Sequence, residues 1–261
     1  MFSLPATPTA EFTVIGLISD LHLTTENDRG MANFRQCLDT LQPQLSTLYI
    51  LGDLFEFWVG DDAAVRLGYE PVIQRLQALT LAGVKLFFLP GNRDFLVAEN
   101  FARQTGCQLL ADGTVVRIYG TRVLLMHGDS LCTDDHEHQE FRKMVNQASW
   151  QGEFLARPQP ERIQMAQKAR LQSRQNLQHK SMDIMDVNQA AVDETMEDFS
   201  VRILVHGHTH RPAIHEWEVQ GHTRRRIVLG AWYSETSVLL FSKEQLRLTP
   251  GPLIRTGLLP V

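Results

Sequence analysis

The chain has 261 residues, 43% of them hydrophobic and 21% charged, enough for one large or two modest domains of ordinary soluble composition. A net charge of −5 argues against a general nucleic-acid binder, and three scattered cysteines (Cys37, Cys107, Cys132) argue against a disulfide framework and suit a reducing compartment. The start, MFSLPATPTAEF, lacks the basic and apolar regions of a secretory signal, and no stretch approaches the ~20 apolar residues that span a bilayer, so membrane contact is expected to be peripheral.

Short apolar runs end repeatedly in polar, glycine-containing turns. Val14–Ile18 runs into Ser19-Asp20-Leu21-His22, Leu48–Leu51 into Gly52-Asp53, and Val84–Leu89 into Pro90-Gly91-Asn92. Val123–Met126 runs into His127-Gly128-Asp129, and Ile203–Val205 into His206-Gly207-His208-Thr209-His210. Runs of this length suit strands buried on both faces, and Met31–Leu41 and Pro71–Ala82 between them read as helices. Strand–helix alternation predicts an α/β sandwich with its ligands at the carboxyl ends of the strands. From 134 to 198 the pattern is helical, broken at Ala-Arg-Pro-Gln-Pro-Glu-Arg (156–162), which predicts a helical cap inserted in a core of 12–133 and 199–249. Arg226–Leu229 and Ser237–Phe241 read as returning strands, and 250–261 as an irregular tail.

The five turns supply Asp20, His22, Asp53, Asn92, His127, His208 and His210. Two metal ions need such a mixture of imidazole nitrogens and carboxylate oxygens, with one ligand able to bridge them. Alternation along a strand would put Asp20 and His22 on one side, and likewise His208 and His210. Glycines 52, 91, 128 and 207 would let the backbone turn sharply beside the ions. The bland alternative, turn formers and helix caps, explains the glycines and aspartates but not four histidines at strand ends. Outside these motifs, His136, His138, His179, His215 and His222 read as surface or structural.

The order Asp-x-His, Gly-Asp, Gly-Asn-Arg-Asp, His-Gly-Asp, Gly-His-x-His resembles the calcineurin-like metallophosphoesterases. That resemblance implies two sheets flanked by helices around a dinuclear site holding manganese, iron or zinc. Asp20, His22 and His210 would take one ion, Asn92, His127 and His208 the second, and Asp53 would bridge. Asp53, Asn92, Arg93 and His208 are the expected catalytic residues. Metal-bound water loses its proton near pH 7 in favourable zinc sites, so activated water would attack phosphorus in line without a serine or cysteine nucleophile. Arg93 stands where many relatives carry histidine. A permanently charged guanidinium cannot donate a proton usefully but can clamp a phosphate, which favours a good leaving group such as a second phosphate; the alternative is an ion pair with Asp94.

Asp53-Leu-Phe-Glu-Phe-Trp-Val-Gly-Asp-Asp62, His127-Gly-Asp-Ser-Leu-Cys-Thr-Asp-Asp135, Gly-Asn-Arg-Asp-Phe and Ile-Met-Asp-Val-Asn at 184–188 resemble more closely the UDP-2,3-diacylglucosamine hydrolases of lipid A biosynthesis. The likeness implies Mn²⁺-dependent attack of water on the α-phosphorus, releasing UMP and 2,3-diacylglucosamine 1-phosphate. It also implies a monomer, without nucleic acid, peripheral to the cytoplasmic side of the inner membrane of a Gram-negative bacterium. Substrate contacts would be Asn92, Arg93, Asp135, Ser173, Lys180, His208 and the position of Leu177. There the family carries asparagine, whereas this chain has Asn176 one place earlier, about 100° round a helix.

Two features of the cap stay open on pattern alone. Arg157, Arg162, Lys168, Arg170, Arg174 and Lys180 form either a face for anionic headgroups or a diphosphate, or a solvated surface. Phe141, Met144, Trp150, Phe154 and Leu155 form either an acyl groove or ordinary helix core. Competing readings are a soluble-nucleotide phosphodiesterase, which would need no apolar surface beside the metals, a nuclease, and a metal-free binding scaffold, which would have lost ligands.

Overall fold

Side-chain alternation along the apolar runs decides the layering. In the second strand Leu48 and Ile50 face one apolar cluster while Tyr49 and Leu51 face another, so the sheet is covered on both sides. The computed structural model describes residues 14–177, 186–233, 236–243 and 246–250. In chain order the first half comprises β1 (Val14–Ile18), α1 (Asp28–Leu41), β2 (Leu45–Ile50), α2 (Glu70–Leu81), β3 (Lys85–Phe88), α3 (Glu99–Thr105), β4 (Gln108–Leu109), β5 (Thr114–Ile118) and β6 (Thr121–Leu125). Then come α4 (His136–Val145), α5 (Ala148–Leu155), α6 (Gln159–Leu177) and α7 (Gln189–Asp198). The chain returns through β7 (Ile203–His206), β8 (Ala213–Val219), β9 (His222–Val228), β10 (Ser237–Phe241) and β11 (Leu246–Pro250).

Two sheets form the centre. One has the order β11-β10-β1-β2-β3-β4, the other β5-β6-β7-β9-β8. The run β1-β2-β3-β4 is parallel, as is β6-β7-β9, so the carboxyl ends of the central strands line up within each sheet. Leu17, Tyr49, Leu51, Leu89 and Leu239 of the first sheet meet Val123, Leu125, Val205 and Ile227 of the second in the inter-sheet core. On the first sheet's outer face Ile18, Leu48 and Phe88 pack with Phe34 and Leu38 of α1 and Val72 and Leu76 of α2. α1 buries Met31, Phe34, Leu38 and Leu41 along one stripe, and the Asn27 side chain caps it by accepting from Gly30 N at 3.0 Å.

The expected sandwich of two sheets and flanking helices is the observed one. Four strands carried no clear sequence signal: β4, β5, β8 and β11. The β8–β9 hairpin is the instructive case, because Glu216, Glu218 and Arg225 face out beside an edge where an apolar run is not needed, while Arg224 turns the other way to bond Asp193 of α7. β11 continues through Pro250, so a tail begins no earlier than residue 251, outside the described residues. Within the region expected to be cap, α4, α5 and α6 differ from α7. The last buries Val192 and Met196 against Leu124, Met126 and Leu204 on the outer face of the second sheet.

That difference predicts unequal costs of truncation. Met196→Ala should destabilise by about 2–5 kcal/mol in urea unfolding, as a fully buried core side chain. Met165→Ala, on α6 with the side chain 41% exposed, should stay within about 0.5 kcal/mol. Equal effects would contradict the packing of α7 as a core layer.

Candidate metal centre

Five loops leave the carboxyl ends of β1, β2, β3, β6 and β7 and meet at one edge of the sandwich. Strand alternation does not bring their side chains together. β1 ends at Ile18 and β7 at His206, so Asp20, His22, His208 and His210 all lie beyond the strands. What turns them inward is left-handed backbone: Asp20 (φ 56), His22 (φ 49), Asp53 (φ 52), His208 (φ 66) and His210 (φ 58). These are five of the eight non-glycine residues with positive φ among the described residues, so conformational strain is concentrated in the site. Consequently His208 and His210 do not converge on one point; they join different groups.

The first group is Asp20, His22 and His210. His210 Nε2 lies 3.3 Å from Asp20 Oδ1 and 3.1 Å from His22 Nε2, while His22 Nε2 is 4.0 Å from the same oxygen. Asp20 Oδ2 is occupied, accepting from the Ser19 hydroxyl and from His208 N, which leaves Oδ1 buried without a hydrogen-bond partner. Two facing imidazole nitrogens can share only one proton, so three acceptors focused on one point suit a cation.

The second group is Asn92, His127 and His208. Asn92 Oδ1 lies 2.8 Å from His127 Nε2 and 3.0 Å from His208 Nδ1. Between the groups stands Asp53, only 2% exposed. Its Oδ2 is 3.9 Å from His22 Nε2, its Oδ1 3.6 Å from His127 Nε2, and Oδ1 also accepts from Arg93 N at 2.8 Å. One carboxylate thus offers an oxygen to each side. Asp20, Asp53 and His127 also lie close enough together to hold an ion, so the two groups are contiguous.

The loops are held in place by hydrogen bonds to backbone carbonyls and to one buried carboxylate. Asp20 N donates to Gly52 O at 3.1 Å and His22 N to Asp53 O at 3.0 Å. Asp94 is fully buried, and its carboxylate accepts from Asp53 N (3.1 Å), Leu54 N (2.8 Å) and Gly91 N (2.8 Å), binding the Gly-Asp loop to the Gly-Asn loop. Asp94 is therefore not the ion-pair partner of Arg93; the Arg93 guanidinium lies beside Asp53, with Nε 3.8 Å from Oδ2. Gly52 has φ +82, and a Cβ there would overlap the Gly91 backbone; at Gly207 a Cβ would overlap the Ser19 and Asp20 side chains. These glycines let loops approach one another as well as the centre.

Burial sets the protonation. It drives the imidazoles of His22 and His208 well below their ordinary pKa. It raises Asp53 to about 7, with neighbouring Asp94 and Asp20 adding to the effect. For His127 burial disfavours the cation, but the carboxylates of Asp53, Asp20 and Asp129 outweigh it and lift the ring to about 9. Asp20 resists the effect of burial: the His210 ring beside Oδ1 and the surrounding imidazoles hold its carboxyl far below the usual range.

Helices α4–α6 dock beside this centre. Arg162 pairs with Asp62 and reaches Val59 O, while Arg170 and Arg174 both bind Glu56. Arg162 and Arg170 therefore face acids of the Asp53–Asp62 loop rather than solvent; Arg174 reaches Glu56 from an exposed position, and Arg157 and Lys168 are exposed too. Trp150 and Phe154 stack on each other and pack against the main core, so they are core residues, whereas Phe141, Met144 and Leu155 stay exposed together with Met165 and Leu171. A cavity of about 230 Å³ opens from Asn92 past Phe95, Phe141 and Val145. Asp135 is the N-cap of α4, accepting from His138 N at 3.1 Å, and Ser173 lies half-buried within the α6 turn that carries Arg170 and Arg174. Leu177 is the last described residue of α6, while its side chain, like Lys180 and His179, lies outside the described residues.

Among the neighbours of the centre that sequence reasoning missed are three aromatic rings. His138, expected to be surface or structural, has its ring centroid 5.2 Å from His208 and its Nε2 3.6 Å from Asp129 Oδ2. Its signal was position: it lies in the first turn of the helix entered from the His127 loop. Tyr233 stacks on His22 with ring centroids 5.3 Å apart and packs edge-on against His210. His206 is buried, accepting from Arg226 at Nε2 (3.3 Å) and donating from Nδ1 to Gly207 O (2.9 Å), and burial pushes it down to about 4.

The sequence profile of the calcineurin-like phosphoesterases matches residues 13–212. The chain is 44% identical over 235 residues to UDP-2,3-diacylglucosamine hydrolase of Serratia proteamaculans, covering 90% of this chain and 98% of that protein. It is 45% identical over 227 residues to the protein of that name from Nitrosococcus oceani, covering 87% and 90%. Against that of Klebsiella pneumoniae the identity is 45% over 235 residues, covering 90% and 98%.

Protonation of Asp53 and His127 makes cation binding pH-dependent. With pKa values of about 7 and about 9 in the ion-free chain, these groups hold protons near neutrality that a cation must displace. Mn²⁺ affinity should therefore rise from about pH 6 to about pH 9. Calorimetric titration in buffers of different ionisation enthalpy should register net proton release. Affinity independent of pH, without proton release, would contradict this electrostatic picture.

Proposed function

As this chain belongs to the calcineurin-like phosphoesterase family and is a hydrolase, we propose that its substrate is UDP-2,3-diacylglucosamine. Cleavage falls at the pyrophosphate, with water attacking the α-phosphorus to give UMP and 2,3-diacylglucosamine 1-phosphate. The observation that carries this reading is Asp53, a buried carboxylate with one oxygen toward each of two acceptor groups and a guanidinium beside it. Asp20, His22 and His210 would hold one divalent ion and Asn92, His127 and His208 the other, with Asp53 shared. Their nitrogen, carboxylate and amide donors fit Mn²⁺ at least as well as Zn²⁺. When bound, such ions lower the pKa of water and neutralise phosphoryl oxygen charge.

The chain's own groups do the rest. Arg93 takes phosphoryl oxygens through parallel N–H donors, a role that a proton donor is not needed for when the leaving group is a phosphate. Asn92 and His208 lie together in the second group and would meet the same phosphoryl oxygens. Asp135, Ser173, Lys180 and the position of Leu177 would meet the sugar and phosphate from the cap. The exposed apolar residues of α4–α6, beside the cavity near Asn92, suit acyl chains and a lipid surface. No helix among the described residues is long and apolar enough to cross a membrane. The working form would be a monomer in the cytoplasm, resting peripherally on the cytoplasmic side of the inner membrane, with no nucleic-acid partner.

Product analysis with UDP-2,3-diacylglucosamine, detergent and Mn²⁺, with and without EDTA, tests the proposal. EDTA-sensitive release of both UMP and the lipid monophosphate is expected. Turnover of soluble nucleotides with none of the lipid would contradict it. Arg93→Ala should lower kcat by about 10²–10³-fold, the loss typical of one transition-state donor, while Mn²⁺ stoichiometry is preserved. An unchanged rate would refute the phosphate clamp.

A further inference from the structure

His22 presents a problem of proton placement. Its Nε2 faces Asp20, His210 and Asp53, the side on which an ion would need a free lone pair. The ring proton must then sit on Nδ1. That nitrogen is buried and has no hydrogen-bond partner, yet an oxygen of Glu56 lies 3.7 Å away, within one small side-chain adjustment.

Glu56 is arranged to serve it. Its Oε1 is fully used, accepting from Arg170 Nε at 2.9 Å, Arg170 Nη2 at 2.7 Å and Arg174 Nη2 at 2.9 Å. The oxygen nearest the imidazole is the other one, Oε2. The backbone is fixed too, since Glu56 N donates to Leu23 O at 3.0 Å, immediately after His22. The second group is built differently: His127 Nδ1 meets the carbonyl of Leu51 at 2.9 Å, an acceptor belonging to the core alone. One imidazole thus meets a core backbone acceptor, and the other faces a carboxylate that α6 grips.

We propose that Glu56 is the positioning residue of the His22 ring and couples cap helix α6 to the ion site that His22 serves. Holding Glu56 through Arg170 and Arg174, the docked cap raises the cation affinity of that site and leaves the other to the core. Metal-binding imidazoles commonly donate their outer N–H to such a carboxylate, and loss of the partner typically weakens metal binding about 10–100-fold. The inference deepens the two-ion reading above and rests on it.

The test is Mn²⁺ titration of the full chain by calorimetry, comparing wild type, Glu56→Gln and the double variant Arg170→Met/Arg174→Met. An amide oxygen cannot serve His22 and both arginines at once. Glu56→Gln should therefore weaken one of the two sites about 10–100-fold and leave the other within about threefold. The double variant, which keeps the carboxylate, should weaken the same site by less. In ¹⁵N-histidine spectra the His22 Nδ1–H signal should move in both variants while that of His127 stays. Activity of Glu56→Gln should recover as Mn²⁺ is raised, which a general structural defect would not permit. Folded variants in which both sites are unaltered, or weakened alike, overturn the coupling and leave the two-ion reading standing. A wild-type chain with fewer than two sites overturns both.

Discussion

The carboxylate of Asp53 is the constraint around which the centre is arranged. It is buried, it lies between two sets of acceptors, and little in the protein neutralises it beyond the half-buried Arg93 and whatever proton His127 carries. Burying so many acceptors costs free energy, since desolvated groups keep that cost unless a donor or a cation replaces the lost water. Without a cation the site answers by shifting protons: Asp53 goes up to about 7 and His127 to about 9. Both shifts belong to a place that a divalent ion would stabilise.

The fold supplies that place by rigidity at the loop bases. Parallel strands bring five carboxyl ends to one edge, and left-handed turns at Asp20, His22, Asp53, His208 and His210 aim the side chains. Each such turn is unfavourable alone, by roughly 1–2 kcal/mol. They persist because neighbouring loops donate into one another, above all into the Asp94 carboxylate, which accepts from three loop amides at 3.1 Å or less. Helix α6 then docks on the loop that follows Asp53. Arg162 reaches Asp62, and Arg170 and Arg174 reach Glu56, whose other oxygen lies toward His22.

Much of this was legible in the sequence because strand burial and metal chemistry both leave strong residue patterns. β1 and β10 coincide with their apolar runs, and the residues named from the five turns are the ones that the fold brings to one edge. The route by which they meet was not legible. Strand alternation was the wrong cause, since φ inversion in a turn has no obligatory residue signature when aspartate and histidine adopt it. Arg93 pairing with Asp94 also failed, because adjacency in sequence says nothing of which way a buried carboxylate faces. His138, Tyr233 and Glu56 were hidden for a related reason: each reaches the centre from a segment whose placement depends on tertiary packing. Edge strands β5 and β8 need no continuous apolar run, so periodicity passed over them.

The central claim is that Asp53 stands between two cation sites. Anomalous diffraction from crystals of the chain grown with Mn²⁺ tests it directly. The account predicts two peaks about 3.5–4 Å apart, one against each Asp53 oxygen, the first beside His22 and His210 and the second beside His127 and Asn92. A single peak, or two peaks that do not share Asp53, would contradict it.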